Sequence, residues 1–180
     1  YDTARVNQLA IERLALEPSD AVLELGFGHG RTLLQVAGRT RQGFVAGVDP
    51  SEVMLRHARM RNGRYIDQGR LVLHLGESAH IPYPDDRFDK AFAVHVLYFW
   101  SDPRDDLREI HRVLRSGGLL LLGFRPKDDP RVVADLPQTV YKLYTLSEVK
   151  KLLEESGFHD ARCEVETLRG RQIAWATAHA

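Results

Sequence analysis

Three stretches of the sequence place glycine or carboxylate residues directly after a short apolar run. In the first of them, Gly26, Gly28 and Gly30 alternate with larger residues and lead into an amphipathic segment. Glycine lets the backbone turn sharply and lets a ligand approach it closely, and a helix that begins beyond the loop offers free N–H groups to polar ligand atoms. The spacing G-x-G-x-G differs from the dinucleotide pattern G-x-G-x-x-G. By itself the loop therefore also fits a purely structural turn.

Carboxylates follow the second and third apolar runs. Asp49 lies about 20 residues beyond the glycine loop, a distance at which a carboxylate commonly binds both hydroxyls of a ribose. Residues 49–52 also read as a helix N-cap, with proline and glutamate at the positions expected there. Glu77 and Ser78 follow the third run, where Glu77 could receive an exocyclic amine or could be a solvated loop residue. The three stretches together predict one shared crevice.

Apolar runs that alternate with amphipathic stretches predict a parallel sheet covered by helices on both faces. The predicted parallel strands are Ala21–Leu25, Phe44–Val48, Leu71–Leu75, Phe88–Val94 and Leu119–Phe124. The predicted helices are Asp2–Leu16, Gly30–Ala37, Ser51–Arg61, Pro103–Leu114 and one that begins after Thr145 and ends at Ser156-Gly157. Residues 126–143 read as a loop over one end of the sheet. Two final strands, roughly Asp160–Glu166 and Arg171–Thr177, are predicted to join through a turn at Arg169-Gly170.

Composition narrows the class of protein. The chain has 180 residues with 25 basic and 25 acidic side chains, which predicts a single domain over residues 1–180 and argues against a nucleic-acid partner. One cysteine excludes a disulfide framework, and the histidines lack metal-ligand spacing, so we expect no metal site. No run approaches the length of a membrane span. With no signal-peptide pattern, we expect a cytoplasmic protein.

Several motifs in chain order resemble class I S-adenosylmethionine-dependent methyltransferases. They lie at residues 22–30, 47–55, 76–78, 81–89, 107–118 and from 147–148 to 157–158. The resemblance is to the small-molecule branch, which includes C-methyltransferases of ubiquinone and menaquinone biosynthesis. It implies a Rossmann-like α/β fold whose seven-stranded, mostly parallel sheet has the order 3-2-1-4-5-7-6, with the last strand antiparallel.

The same resemblance implies a map of the cofactor site. Glu24 and the glycine loop would hold the methionine end, Asp49 would bind the ribose, and Glu77 with Ser78 would flank the adenine. Position 77 more often carries the shorter aspartate in this family, so the contact from Glu77 to the amine can be indirect. The cofactor-binding residues implied are Glu24, Gly26, Phe27, Gly28, Gly30, Asp49, Pro50, Met54, Glu77 and Ser78.

The sequence gives weaker signals for the residues that would contact the methyl acceptor. His95 follows the fourth strand and is a candidate catalytic base near the methyl group, or a hydrogen-bonded structural histidine. Tyr98 and Trp100 could wall an apolar acceptor or pack in the core. Arg125 could pair with an acceptor carboxylate, although a solvated loop arginine is the favoured interpretation.

We therefore expect an S-adenosylmethionine-dependent methyltransferase that moves a methyl group to a small-molecule acceptor by direct displacement and releases S-adenosylhomocysteine. The expected assembly is a monomer or homodimer. One alternative is a cofactor-binding module without its own turnover. Another is a nicotinamide-dependent oxidoreductase, because a glycine loop followed by an acidic residue is common to both classes.

Overall fold

The computed structural model describes residues 3–180, so Asp2, the predicted first residue of the N-terminal helix, lies outside the described residues. Seven strands form one sheet in the order β3-β2-β1-β4-β5-β7-β6, which confirms the expected order. Strands β1 to β5 pair in parallel, and β7 runs antiparallel to both β5 and β6. The strands are β1 (Ala21–Leu25), β2 (Phe44–Asp49), β3 (Leu71–Leu75), β4 (Phe88–Val94), β5 (Leu114–Phe124), β6 (His159–Leu168) and β7 (Arg171–His179).

Helices cover both faces of the sheet, as the apolar strands require. Alternate residues of β1 divide between two buried clusters: Val22 packs with α1, α2 and α3, whereas Leu23 packs with α4 and α6. The helices are α1 (Thr3–Arg13), α2 (Arg31–Arg39), α3 (Glu52–Asp67), α4 (Pro103–Val113), α5 (Pro130–Asp135) and α6 (Leu146–Glu155), with a 3-10 turn at Leu97–Phe99. Within the described part of the chain, these helices are too short or too polar to cross a bilayer.

Tertiary contacts explain where the elements differ from the sequence-based prediction. Helix α3 continues past its predicted end at Arg61, because Asn62 is fully buried and its side-chain amide donates to the carbonyl oxygens of Ala58 and Gly30. The stretch 126–143 is not entirely loop, since Asp129 caps the short helix α5. The predicted hairpin turn is confirmed, with positive φ angles at both Arg169 and Gly170.

Candidate active site

The carboxyl ends of β1, β2 and β3 lie side by side at one edge of the sheet. Leu25 of β1 pairs with Val48 of β2, and Asp49 at the end of β2 pairs with Leu75 of β3. The backbone N–H of Gly76 donates to the carbonyl oxygen of Asp49 at 3.1 Å, which ties the third loop to the second strand. The three predicted stretches therefore meet at one crevice, the position at which open α/β sheets bind ligands.

Two cavities open at this edge and share the lining residues Gly26, Val94 and His95. The first, which we call the strand-tip cavity, has a volume of about 550 Å³ and is also lined by residues 48–50, 76–79, 96, 99–102, 105 and 106. The second, the N-terminal cavity, has a volume of about 500 Å³ and is also lined by residues 3, 4 and 7 of α1 and by residues 24, 27–29, 31, 32 and 35. Together they form one crevice whose two parts adjoin at these shared residues, His95 among them.

The glycine loop (residues 26–30) is held in place by hydrogen bonds from other elements. The N–H of Gly28 donates to Oδ2 of Asp49 at 2.8 Å. From α3, the side-chain amide of Asn62 donates to the carbonyl oxygen of Gly30 at 3.0 Å, and Nε of Arg61 donates to that of His29 at 3.0 Å. Hydrogen bonds within the protein therefore fix the conformation of the glycine loop.

Asp49 is not the cap of α3. The cap is Ser51, whose hydroxyl accepts from the N–H of Met54, so the capping interpretation of Asp49 is wrong. The two oxygens of Asp49 instead accept from the N–H groups of Gly28 and Ser51, at 2.8 and 2.9 Å. Because each carboxylate oxygen has two lone pairs, Asp49 keeps acceptor capacity toward the strand-tip cavity that it lines.

Glu24 is a buried carboxyl group beside the N-terminal cavity. It is 6% exposed, and its Oε2 has no hydrogen-bond partner among residues 3–180. Burial raises the pKa of Glu24 well above its usual value and nearby Asp49 raises it further, against hydrogen bonds from Thr32 and the Leu33 backbone that lower it. A cationic ligand group in this cavity would satisfy the orphaned oxygen and favour the charged form.

The third loop presents two side chains in different environments. Glu77 is exposed, whereas Ser78 is buried and its hydroxyl donates to the carboxylate of Asp106 on α4. Burial raises the pKa of Asp106; the Ser78 hydrogen bond lowers it, and Glu77 and Asp105 raise it. Asp106 was not predicted from the sequence, because it lies in the acidic first turn of a helix, where carboxylates are common without any ligand.

His95 lies at the junction of the two cavities. Its φ angle of 60° is unusual for a residue other than glycine. The backbone N–H of His95 donates to the carbonyl oxygen of Gly123 at 2.8 Å. The ring Nδ1 is 3.2 Å from the hydroxyl of Tyr98, which also accepts from the N–H of Arg125. Burial, with a smaller contribution from the Arg125 charge, lowers the pKa of His95 to about 4, so the imidazole is neutral at neutral pH.

Not every predicted residue reaches the crevice. Gly30 packs against α3, where an added Cβ would lie 2.6 Å from the Asn62 amide and 2.8 Å from the Ala58 Cβ. The Phe27 ring packs in the core although the residue borders the N-terminal cavity. Met54 is absent from the lining of both cavities in the described part of the chain.

The acceptor-side candidates divide in a similar way. Trp100 lines the strand-tip cavity, as does Phe99, which is 56% exposed, whereas Tyr98 is buried and its ring lies edge-on to that of Phe99. Arg125 is not the solvated loop residue that the sequence favoured. It is 5% exposed and its guanidinium pairs with Asp135 of α5 at 2.9 Å.

Known proteins resemble this chain in sequence and in fold. A methyltransferase domain family matches residues 23–122. The uncharacterized methyltransferase YdaC of Bacillus subtilis (strain 168) is 26% identical over 173 residues, covering 96% of this chain and 90% of YdaC. The 27-O-demethylrifamycin SV methyltransferase of Amycolatopsis mediterranei (strain S699) is 28% identical over 170 residues, covering 90% of this chain and 62% of the relative. This chain thus spans less than two thirds of that relative.

Solved structures show the same fold at low sequence identity. The [4+2]-cyclase SpnF has a TM-score of 0.84 at 23% identity, with 97% of this chain and 80% of that chain covered. An S-adenosylmethionine-dependent methyltransferase from Aquifex aeolicus has a TM-score of 0.77 at 22% identity, with 96% and 88% covered. The family match spans more than half of the chain and includes the carboxyl ends of β1, β2, β3 and β4, which form the crevice. The match therefore favours the methyltransferase hypothesis over the nicotinamide-dependent oxidoreductase. The chain belongs to this methyltransferase domain family and is a class I S-adenosylmethionine-dependent methyltransferase.

Proposed function

We propose that the protein methylates a small-molecule acceptor that enters the crevice at the junction of the two cavities. The observation that carries the proposal is the two-part crevice, in which the N-terminal and strand-tip cavities meet at Gly26, Val94 and His95. Support for a small acceptor comes from the relatives, since one carries the name 27-O-demethylrifamycin SV methyltransferase. An acceptor oxygen is therefore the first chemistry to test.

The residues around the crevice fit S-adenosylmethionine. The orphaned Oε2 of Glu24 suits the ammonium of the methionine end, because a buried carboxylate is stabilised by a charged donor. An added Cβ on Gly28 would meet no described atom within 4 Å, which leaves room for a ligand beside the backbone of the loop. Asp49 is proposed to bind the ribose hydroxyls. Pro50 and the loop after β3 are proposed to contact the adenine.

The chain contributes mainly by positioning and by excluding water. S-adenosylmethionine supplies an electrophilic methyl group on a sulfonium, which is an excellent leaving group. Glu24 lines the N-terminal cavity and Asp49 lines the strand-tip cavity, so a ligand bound to both carboxylates has little freedom of orientation. The apolar side chains of Val94, Val96 and Trp100 line the space next to His95 and keep water away from the reacting atoms.

His95 is proposed to orient the acceptor by a hydrogen bond. A base whose conjugate acid has a pKa of about 4 removes protons poorly from alcohols at neutral pH. The neutral imidazole at the cavity junction is nevertheless suited to hydrogen-bonding an acceptor hydroxyl. This role differs from the general-base role suggested by the sequence.

Methyl-transfer assays with a panel of hydroxylated small molecules test the proposal. We expect S-adenosylhomocysteine to accumulate together with an acceptor that has gained one methyl group. With that acceptor, His95→Gln is expected to keep kcat within about threefold, whereas His95→Ala lowers it about tenfold, because glutamine preserves a hydrogen-bonding group. Equal losses of about 100-fold in both variants would instead indicate a general base. Methylation of macromolecules alone would contradict a small-molecule acceptor.

Asp49→Ala is expected to weaken both folding and ligand binding. The substitution leaves the N–H groups of Gly28 and Ser51 without their acceptor, which lowers the free energy of unfolding by about 1–3 kcal/mol. Loss of the proposed ribose contact weakens S-adenosylhomocysteine binding about tenfold or more. Chemical denaturation and calorimetric titration measure the two effects.

Ser51→Ala is the matched control for Asp49→Ala, because it removes the α3 cap and costs about 1 kcal/mol of stability without touching the ribose site. Equal stability losses in the two variants, with S-adenosylhomocysteine affinity retained in both, would mean that Asp49 has only a structural role.

A further inference from the structure

We infer that Asp106 is a specificity-determining residue of the cofactor site, a carboxylate that accepts from the 6-amino group of the adenine. The inference rests on the proposed placement of the adenine in the strand-tip cavity. Asp106 lines that cavity with Asp49 and Pro50, although it comes from α4 and not from a strand end. It is 5% exposed, so it faces the cavity without being a solvated surface carboxylate.

The hydrogen bond from Ser78 fixes the Asp106 carboxylate. The Ser78 hydroxyl donates to Oδ1 of Asp106, and the loop that carries Ser78 is itself tied to Asp49 through the Gly76 N–H. One oxygen of Asp106 is thus engaged by the loop after β3, and the carboxylate retains lone pairs for a second donor. This arrangement joins the proposed ribose residue, the third loop and Asp106 into one hydrogen-bonded unit.

Glu77, the residue that the sequence suggested for the amine, is less suited to this role. It is exposed, so water competes for its oxygens and its side chain is not held by a described hydrogen bond. A buried and anchored carboxylate discriminates more strongly, because an unmatched ligand group leaves it unpaired in a poorly solvated place. Adenine presents an amino donor at position 6, whereas hypoxanthine presents a carbonyl acceptor there that would face the carboxylate oxygens. Asp106 therefore favours adenine over hypoxanthine.

Calorimetric titration with S-adenosylhomocysteine and S-inosylhomocysteine tests the assignment. The native chain is expected to prefer the adenosyl ligand about tenfold or more. Asp106→Asn should reduce this preference to within about threefold, because an amide can donate to the 6-oxo group. Glu154→Gln is the control: it removes a carboxylate charge from α6, where the side chain is 54% exposed and pairs with Lys150, and among the described residues it is not part of the lining of either cavity, so it should keep the native preference.

Comparing two ligands on one variant makes the ratio independent of the fraction of folded protein. If Asp106→Asn does not fold, Ser78→Ala serves instead, since it keeps the carboxylate but removes its anchor and is expected to lower the preference about threefold or more. A native chain without preference, or a preference lost in Glu77→Gln and kept in Asp106→Asn, would overturn the role of Asp106 alone. Failure of the native chain to bind S-adenosylhomocysteine would overturn the proposed function and this inference together.

Discussion

Glutamine in place of Glu24 is expected to stabilise the ligand-free protein at pH 8 while weakening its binding of S-adenosylhomocysteine. Oε2 of Glu24 is buried without a partner among the described residues, which destabilises the charged carboxylate. The neutral amide removes this charge, and we expect a difference of about 1–3 kcal/mol because an unsatisfied buried charge costs more than an unsatisfied neutral group. The variant should gain stability of that order at pH 8. Its affinity should fall about tenfold or more, because a neutral amide binds the proposed ammonium less strongly than a carboxylate does.

The pH dependence of this effect follows from the direction of the pKa shift. Because the pKa of Glu24 is raised in the folded protein, the fold binds a proton at pH values at which the unfolded chain has lost it. The stability contributed by the protonated carboxyl is complete below the unfolded pKa of about 4.3 and is lost as the pH rises toward the folded pKa. The advantage of Glu24→Gln should therefore be large at pH 8 and small near pH 4.

Urea denaturation at both pH values measures the difference in the free energy of unfolding. Glu154→Gln is the control, since its side chain is 54% exposed on α6 and its loss should change stability by less than about 0.5 kcal/mol at either pH. A Glu24→Gln variant that is less stable than the native chain at pH 8, or that binds the ligand as tightly, would show that Glu24 is not held for a cation.

Gly30→Ala is expected mainly to lower the stability of the fold, whereas Gly28→Ala is expected mainly to weaken ligand binding. Both glycines have positive φ angles, 70° and 51°, which cost an alanine about 1–2 kcal/mol. At Gly30 the added Cβ also meets Asn62 and the backbone of α3, so the total loss of stability should be about 3 kcal/mol or more. At Gly28 an added Cβ would meet no described atom within 4 Å apart from its chain neighbours, so only the backbone cost applies.

Ligand binding distinguishes the two glycine variants. Gly28 lines the N-terminal cavity, so its methyl group should reduce S-adenosylhomocysteine affinity about tenfold or more through lost fit. The folded fraction of Gly30→Ala should bind within about threefold of the native chain, because Gly30 borders α3 and lines neither cavity. Thermal unfolding and titration of both variants test this division. Equal affinity losses would mean that the loop acts as one unit.

The sequence was sufficient for the sheet because each buried strand is a short apolar run. Strands β1, β3 and β4 begin and end at the predicted residues. The boundaries that differ depend on distant partners: α3 passes through Asn62 because that side chain binds the glycine loop, which no local pattern reveals. Likewise β5 begins at Leu114, five residues before the predicted start, and pairs there with Phe88.

The site was predictable where it follows strand ends and unpredictable where it depends on packing. Asp49, Glu77 and Ser78 directly follow predicted strands, and this position was enough to predict that they line the crevice, because the carboxyl ends of parallel strands meet at one edge of a sheet. Asp106 depends on how α4 packs over the loop after β3, and its place in an acidic first turn gave no separate signal. The burial of Arg125 depends on Asp135 in α5, a helix that the sequence did not predict.

Calorimetric titration of the chain with S-adenosylhomocysteine, and separately with NADH, shows which cofactor the crevice binds. We predict one site for S-adenosylhomocysteine with a micromolar or lower dissociation constant, about −8 kcal/mol or stronger, and no comparable binding of NADH. Binding that is absent for S-adenosylhomocysteine, or stronger for NADH, would contradict the assignment of the two joined cavities to this cofactor.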